Sequence, residues 1–212
     1  MQKWTKSKNL AVTGLFGAII FILAFTPIGF IPLPFVRATT IHIPVILGAL
    51  LLGPKYGAAL GFLFGFTSLI NNTINPNLTS FVFSPFYHIP GAESGSYLAL
   101  IVVFIPRILV GIIPWFFYRG LQKILPRRFE VANLALSGVV GSLTNTFFVL
   151  HFIYLFFREP YASVVGEPVE MVYSFIMGLI VANGIPEAVV AGILVAALGG
   201  AFGAVLRRNQ SM

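Results

Sequence analysis

The chain has 212 residues, 58% hydrophobic and 9% charged, with a mean hydropathy of +0.94, a net charge of +7 and no cysteine. A soluble domain of this size could not stay in solution with such a composition, so long membrane spans are expected. Disulfides and thiolate metal sites are excluded, and the basic residues do not cluster as a nucleic-acid groove would require.

Lysines followed by an apolar run at the start imitate a signal peptide. The run is long, lacks an A-x-A cleavage pattern and is followed by more spans, so it reads as the first mature helix. Six spans are predicted in an all-α membrane protein, a single substrate-binding domain over 1–212. The first covers about 10–25 and stops before the prolines of 26-TPIGFIPLP-34. The second, about 40–52, is short for a 30 Å hydrocarbon core and is expected to be tilted, buried or reaching in from a loop. After the turn 53-GPK-55 comes a third span over about 56–71. A loop over about 72–96, rich in Asn, Pro, Ser and Gly, is of a length that usually serves function. The remaining spans cover about 97–118, 131–156 and 171–205.

With six spans, ten of the 13 basic residues fall on one side: Lys3, Lys6, Lys8, Lys55, Arg119, Lys123, Arg127, Arg128, Arg207 and Arg208. Arg37 and Arg158 fall on the other, and Arg107 lies within a span. Both termini are therefore expected to be cytoplasmic, in a multi-pass protein of a bacterial plasma membrane. Trp4, Trp115 and Tyr118 sit near predicted interfaces. Small residues recur four apart in 57-GAALGFLFG-65, at Gly14 and Ala18, at Gly138 and Ser142, and in 199-GGAFGA-204, where helix backbones can approach closely. Such faces serve packing inside the bundle or docking of a membrane partner.

Polar side chains at membrane depth are costly and usually functional. Arg107 lies roughly 15 Å below the outer end of span four, Asn145 roughly 17 Å down span five and Asn183 roughly 18 Å down span six, at 1.5 Å per residue. Three successive helices thus bring a guanidinium and two amides to one level. His151 lies higher on span five, and Glu187 lies lower on span six, on the face of Asn183. A guanidinium suits a carboxylate or phosphate, and amides suit hydroxyls and amides. The pattern predicts an outward-opening pocket for a small anion bearing amide or hydroxyl groups. The alternative is a structural ion pair between Arg107 and Glu187, with Asn145 and Asn183 as interhelical hydrogen-bonding groups. Tyr87 and His88 in the long loop are candidates to cap the pocket, and Asn71 and Asn72 close span three, either at the pocket or as helix caps.

Neither a G-x-x-x-x-G-K-[ST] phosphate loop nor an H-E-x-x-H or G-x-S-x-G motif is present, so no enzyme and no cofactor are expected. No inverted repeat of the kind found in autonomous carriers is evident. A membrane subunit that binds substrate and borrows energy from partners fits better than a stand-alone carrier, a channel or a structural membrane protein.

The run 42-HIPVILGALLLGPK-55 followed by 57-GAALGFLFG-65, after a proline-rich loop, resembles the S components of energy-coupling factor (ECF) vitamin transporters. The later 84-SPFYHIPGAESGS-96 and 104-FIPRILVG-111 are most similar to the pantothenate-specific members. The resemblance covers nearly the whole chain. It implies a six-helix subunit that captures one vitamin from outside, in the outer half of helices four to six and under the first and third external loops. Other vitamins, such as folate, riboflavin or a thiamine precursor, are the alternatives within the family. Partners would be a transmembrane T component and two cytosolic ATPases, which supply the missing phosphate loop. The T component would dock on a small-residue face of helix one, where Gly14 and Ala18 stand here; the family pattern has alanine in place of Gly14. Pantothenate carries a carboxylate, an amide and two hydroxyls. Arg107 would meet the carboxylate, and Asn145 or Asn183 the amide or hydroxyls.

Overall fold

The computed structural model describes residues 5–32 and 37–208; the side chains of 28, 30–32, 37, 38 and 202–208 are outside that description. Lys3 and Trp4, and the side chains of Arg37, Arg207 and Arg208, therefore lie outside the described residues. Among the described residues six helical segments carry the fold, and five of them are long and apolar enough to cross a membrane. The protein is thus a multi-pass membrane protein.

Helix α1 (Lys6–Ala24) starts at Thr5, whose hydroxyl accepts from the backbone N–H of Lys8. A short hairpin follows: β1 (Phe30–Pro32) pairs antiparallel with β2 (Arg37–Thr39), Phe30 opposite Thr39. Helix α2 (His42–Leu52) is short for a 30 Å hydrocarbon core, at roughly 16 Å. Every residue from His42 to Leu50 is buried, so α2 is a core helix wrapped by the longer ones. Gly53 turns the chain at φ 100°, a conformation open to glycine, and Pro54 opens α3 (Pro54–Ile74), where its missing N–H costs nothing.

The fourth span is broken in two, α4 (Leu98–Val110) and α5 (Ile113–Ile124). Pro114, in the first turn of α5, lacks the N–H that would bond the carbonyl of Val110. Gly57, Gly61 and Gly65 of α3 face the backbone of α4 and its C-terminal turn at Gly111, Arg107 and Val103, so closely that a Cβ on any of them would clash. The 57-GAALGFLFG-65 stripe thus acts inside the bundle, and it sets the position of Arg107. Gly138 plays the same part between helix α6 (Glu130–Val165) and the last helix, against Ala191 and Gly192.

Helix α6 bends at Phe157 (φ −134°, ψ 22°), the point where the fifth span was expected to end. Pro160 lacks the N–H that would bond the carbonyl of Phe156, and the helix resumes to end at Gly166, φ 74°. The sixth span is α7 (Val172–Leu179), a π turn over Ile180–Gly184, and α8 (Ile185–Arg208). Pro186 cannot bond the carbonyl of Ala182, and the helix widens there by one residue. One apolar cluster joins α1, α2 and α3 to the inner parts of α6 and α8; a second joins α4, α6, α7 and the buried turn at Ser80–Val82.

Candidate functional site

A cavity of about 680 Å³ borders both apolar clusters, a size suited to one small molecule. Arg107, Asn145, Asn183, Glu187 and Asn71 all line it. Four of the spans bring them together. On α3, Phe64, Ser68, Asn71, Asn72 and Asn75 make one helical stripe. On α6, Asn145, Thr146, Val149, Leu150 and Ile153 make another. Arg107 comes from α4, and Asn183 sits within the π turn, with Glu187 in the first turn of α8.

Proline explains how Arg107 is held. Pro106 interrupts α4 and removes the donor for the carbonyl of Val102. The Arg107 guanidinium takes that place: Nη1 donates to Val102 O at 2.8 Å. The group is buried, with Phe64 and Phe83 rings 5.5 and 5.2 Å from its central carbon. Its Nε has no hydrogen-bond partner among the described residues, nor does Oδ1 of the buried Asn145. An unpaired buried donor and acceptor each cost about 1–3 kcal/mol.

The alternative ion pair is not formed. The Glu187 carboxylate accepts instead from the backbone N–H of Thr39, at 3.2 Å. This ties α8 to β2, and the Thr39 hydroxyl in turn accepts from Ile41 N–H at the start of α2. No ion pair joins Glu187 to Arg107 among the described residues.

Three candidates lie elsewhere. His151 falls between the cavity-facing positions of α6; its Nδ1 bonds Phe147 O at 2.8 Å and its ring stacks on Phe147. Tyr87 and His88 are exposed, in a loop closed on itself by the bond from Ile89 N–H to Ser94 O, and do not line the cavity. Asn71 and Asn72 are not terminal caps: α3 runs on to Ile74, and Asn72 bonds Ser68 O. Gly14 and Ala18 are exposed on α1, with open space beside Gly14.

Sequence reasoning missed the polar wall beyond Asn72. Asn77 binds the backbone N–H and hydroxyl of Thr79 and the hydroxyl of Ser80, and Ser80 also reaches Asn72. Asn75, Asn77 and Thr79 all line the cavity. The density of amides and hydroxyls in 71-NNTINPNLTS-80 was a usable signal. Phe64, Phe83 and Thr39 gave none, because nothing separates them from core or loop residues by type.

The family of the ECF transporter substrate-specific component matches residues 8–199. The chain is 38% identical over 200 residues to the pantothenic acid transporter PanT of Lactococcus lactis subsp. cremoris (strain MG1363), covering 93% of this chain and 94% of that protein. It is 30% identical over 201 residues to the pantothenate transporter PanT of Leuconostoc mesenteroides subsp. mesenteroides, covering 92% and 91%. The crystal structure of an S component for biotin from an ECF-type ABC transporter aligns over 94% of this chain and 95% of that one, at 20% identity and a TM-score of 0.48. With its family matched from end to end of the bundle, this chain belongs to the substrate-specific components of ECF transporters, and its role is transport rather than catalysis.

Proposed function

We propose that this chain captures pantothenate from outside the cell and that the whole chain acts as one binding unit. The observation that carries the reading is the one cavity lined by both Arg107, a guanidinium, and Asn145, an amide, on neighbouring helices. A carboxylate fits the first and an amide N–H or hydroxyl fits the second. Asn183, Asn71 and the Asn77–Thr79 wall offer further amide and hydroxyl groups for a ligand of this kind. The two PanT relatives support the same substrate.

Energy would come from a transmembrane T component with two cytosolic ATPases. The exposed Gly14 and Ala18 face of α1 supports docking there, since small residues let a partner helix come close. The basic-residue partition supports cytoplasmic termini and an outward cavity.

Calorimetric titration of the purified chain in detergent tests the reading. Tight one-to-one binding of pantothenate, with none of riboflavin, folate or thiamine, is the expected result. Tight binding of another vitamin overturns the substrate and keeps the family. Uptake into vesicles by this chain alone would overturn the dependence on partners.

A further inference from the structure

The charged side chains around the cavity are unevenly matched. Among the described lining residues they are Arg107, Glu167 and Glu187, one cation against two carboxylates. Arg107 has one guanidinium edge committed to Val102 O. Glu187 is half-buried and bonds only a backbone N–H, that of Thr39. Glu167 is half-buried beside the Gly166 turn that ends α6. The cavity can therefore neutralise one anionic group, at Arg107. A second would meet the two carboxyl groups, with no cation left for it among the described lining residues.

We infer that the cavity admits a ligand with one anionic group and rejects a form of the same molecule that bears a second, with Glu167 and Glu187 as the excluding groups. The inference rests on the pantothenate reading. Pantothenate has its carboxylate at one end and two hydroxyls at the other. With the carboxylate at Arg107, a hydroxyl can donate to a glutamate. A phosphate ester on the primary hydroxyl removes that donor and adds negative charge beside two carboxyl groups. The two glutamates thus set specificity by repulsion, while the asparagines supply the attraction.

The test is calorimetric titration of the full chain with pantothenate, its primary-hydroxyl phosphate ester and the acetate ester of the same hydroxyl. The acetate ester controls for size and for the lost donor. We expect the phosphate ester to bind at least about 100-fold more weakly than pantothenate, and at least about tenfold more weakly than the acetate ester. In the double variant Glu167→Gln with Glu187→Gln, the gap between phosphate and acetate esters should close by about tenfold. Glutamine keeps an acceptor for Thr39 N–H, so the wall is not dismantled. Three results overturn the inference: phosphate-ester binding within about threefold of pantothenate, equal rejection of both esters, or a gap unmoved in the double variant. If wild-type chain does not bind pantothenate, the substrate reading and the inference both fall. Pantothenate binding with an unmoved gap removes the inference alone.

Discussion

Two charged residues of the cavity stand in the same local sequence, 105-IPR-107 on the fourth span and 185-IPE-187 on the sixth. Each proline removes one helix donor, yet the two helices answer differently. On α4 the orphaned carbonyl of Val102 is taken by the next residue's own side chain, Arg107. On the sixth span the backbone itself gives way, widening to a π turn over Ile180–Gly184. Glu187, an acceptor, has nothing to offer a free carbonyl, so it reaches outward to Thr39 N–H. The defect is repaired in place by a side-chain donor on α4 and absorbed by the backbone on the sixth span. The cavity is thus lined by a cation anchored to its own helix and by a carboxyl group that links two elements 148 residues apart.

The largest effect is expected at the cation. Arg107→Ala removes the ligand's counter-charge and also strips Val102 O of its donor. Pantothenate binding should weaken by about 2–5 kcal/mol, the range for truncating one side of a buried charge pair. Calorimetry on a folded, monodisperse sample checks this; affinity within threefold of wild type would move the carboxylate contact elsewhere. Next comes Glu187→Ala, which leaves Thr39 N–H without its acceptor, at about 1–3 kcal/mol. Hydrogen exchange at the Thr39 amide should quicken in Glu187→Ala and stay near wild type in Glu187→Gln. Equal exchange in both variants would mean that the bond does not hold β2.

Much of this was legible from the chain. The six helical segments, the buried short second helix and the convergence of Arg107, Asn145 and Asn183 all follow from hydropathy, length and depth along a helix. Those quantities depend on 1.5 Å per residue and little else. His151 was placed by depth alone, and depth does not say which face of α6 it occupies. The stripe of Asn145, Val149 and Ile153 leaves it to one side. Tyr87 and His88 belong to a loop whose path is set by its own hydrogen bonds, which composition does not encode. The partner of Glu187 was illegible for another reason. It is a backbone N–H, and every residue but proline has one.

The two prolines offer the direct test of the comparison. Pro106→Ala restores an N–H to Val102 O and sets it in competition with Arg107 Nη1, so the guanidinium is released from its anchor. Pro186→Ala lets the π turn close to an ordinary helix and rotates Asn183 relative to Glu187 by about 100°. Both variants should be as thermally stable as wild type or slightly more so, since each gains a helix bond of about 1 kcal/mol. Both should bind pantothenate about three- to thirtyfold more weakly, because ligand groups lose their placement and not their identity. A loss of affinity with loss of stability would instead mark the prolines as fold residues.

The smallest effect sharpens the boundary of the site. Tyr87 and His88 are exposed, and neither lines the cavity. Substituting either by alanine removes no described hydrogen bond of the cavity wall and no buried packing. Affinity for pantothenate should then stay within about 0.5 kcal/mol of wild type, as for surface substitutions away from such features. A pantothenate dissociation rate, read by displacement with excess unlabelled ligand, is the sensitive check, because a residue that only covers a bound ligand acts on its escape. An unchanged rate keeps the functional boundary at the Asn77–Thr79 wall. A rate raised tenfold or more would mean that the loop bearing Tyr87 and His88 folds onto the ligand, and that the cavity lined by Arg107 and Glu187 is the floor of a larger site.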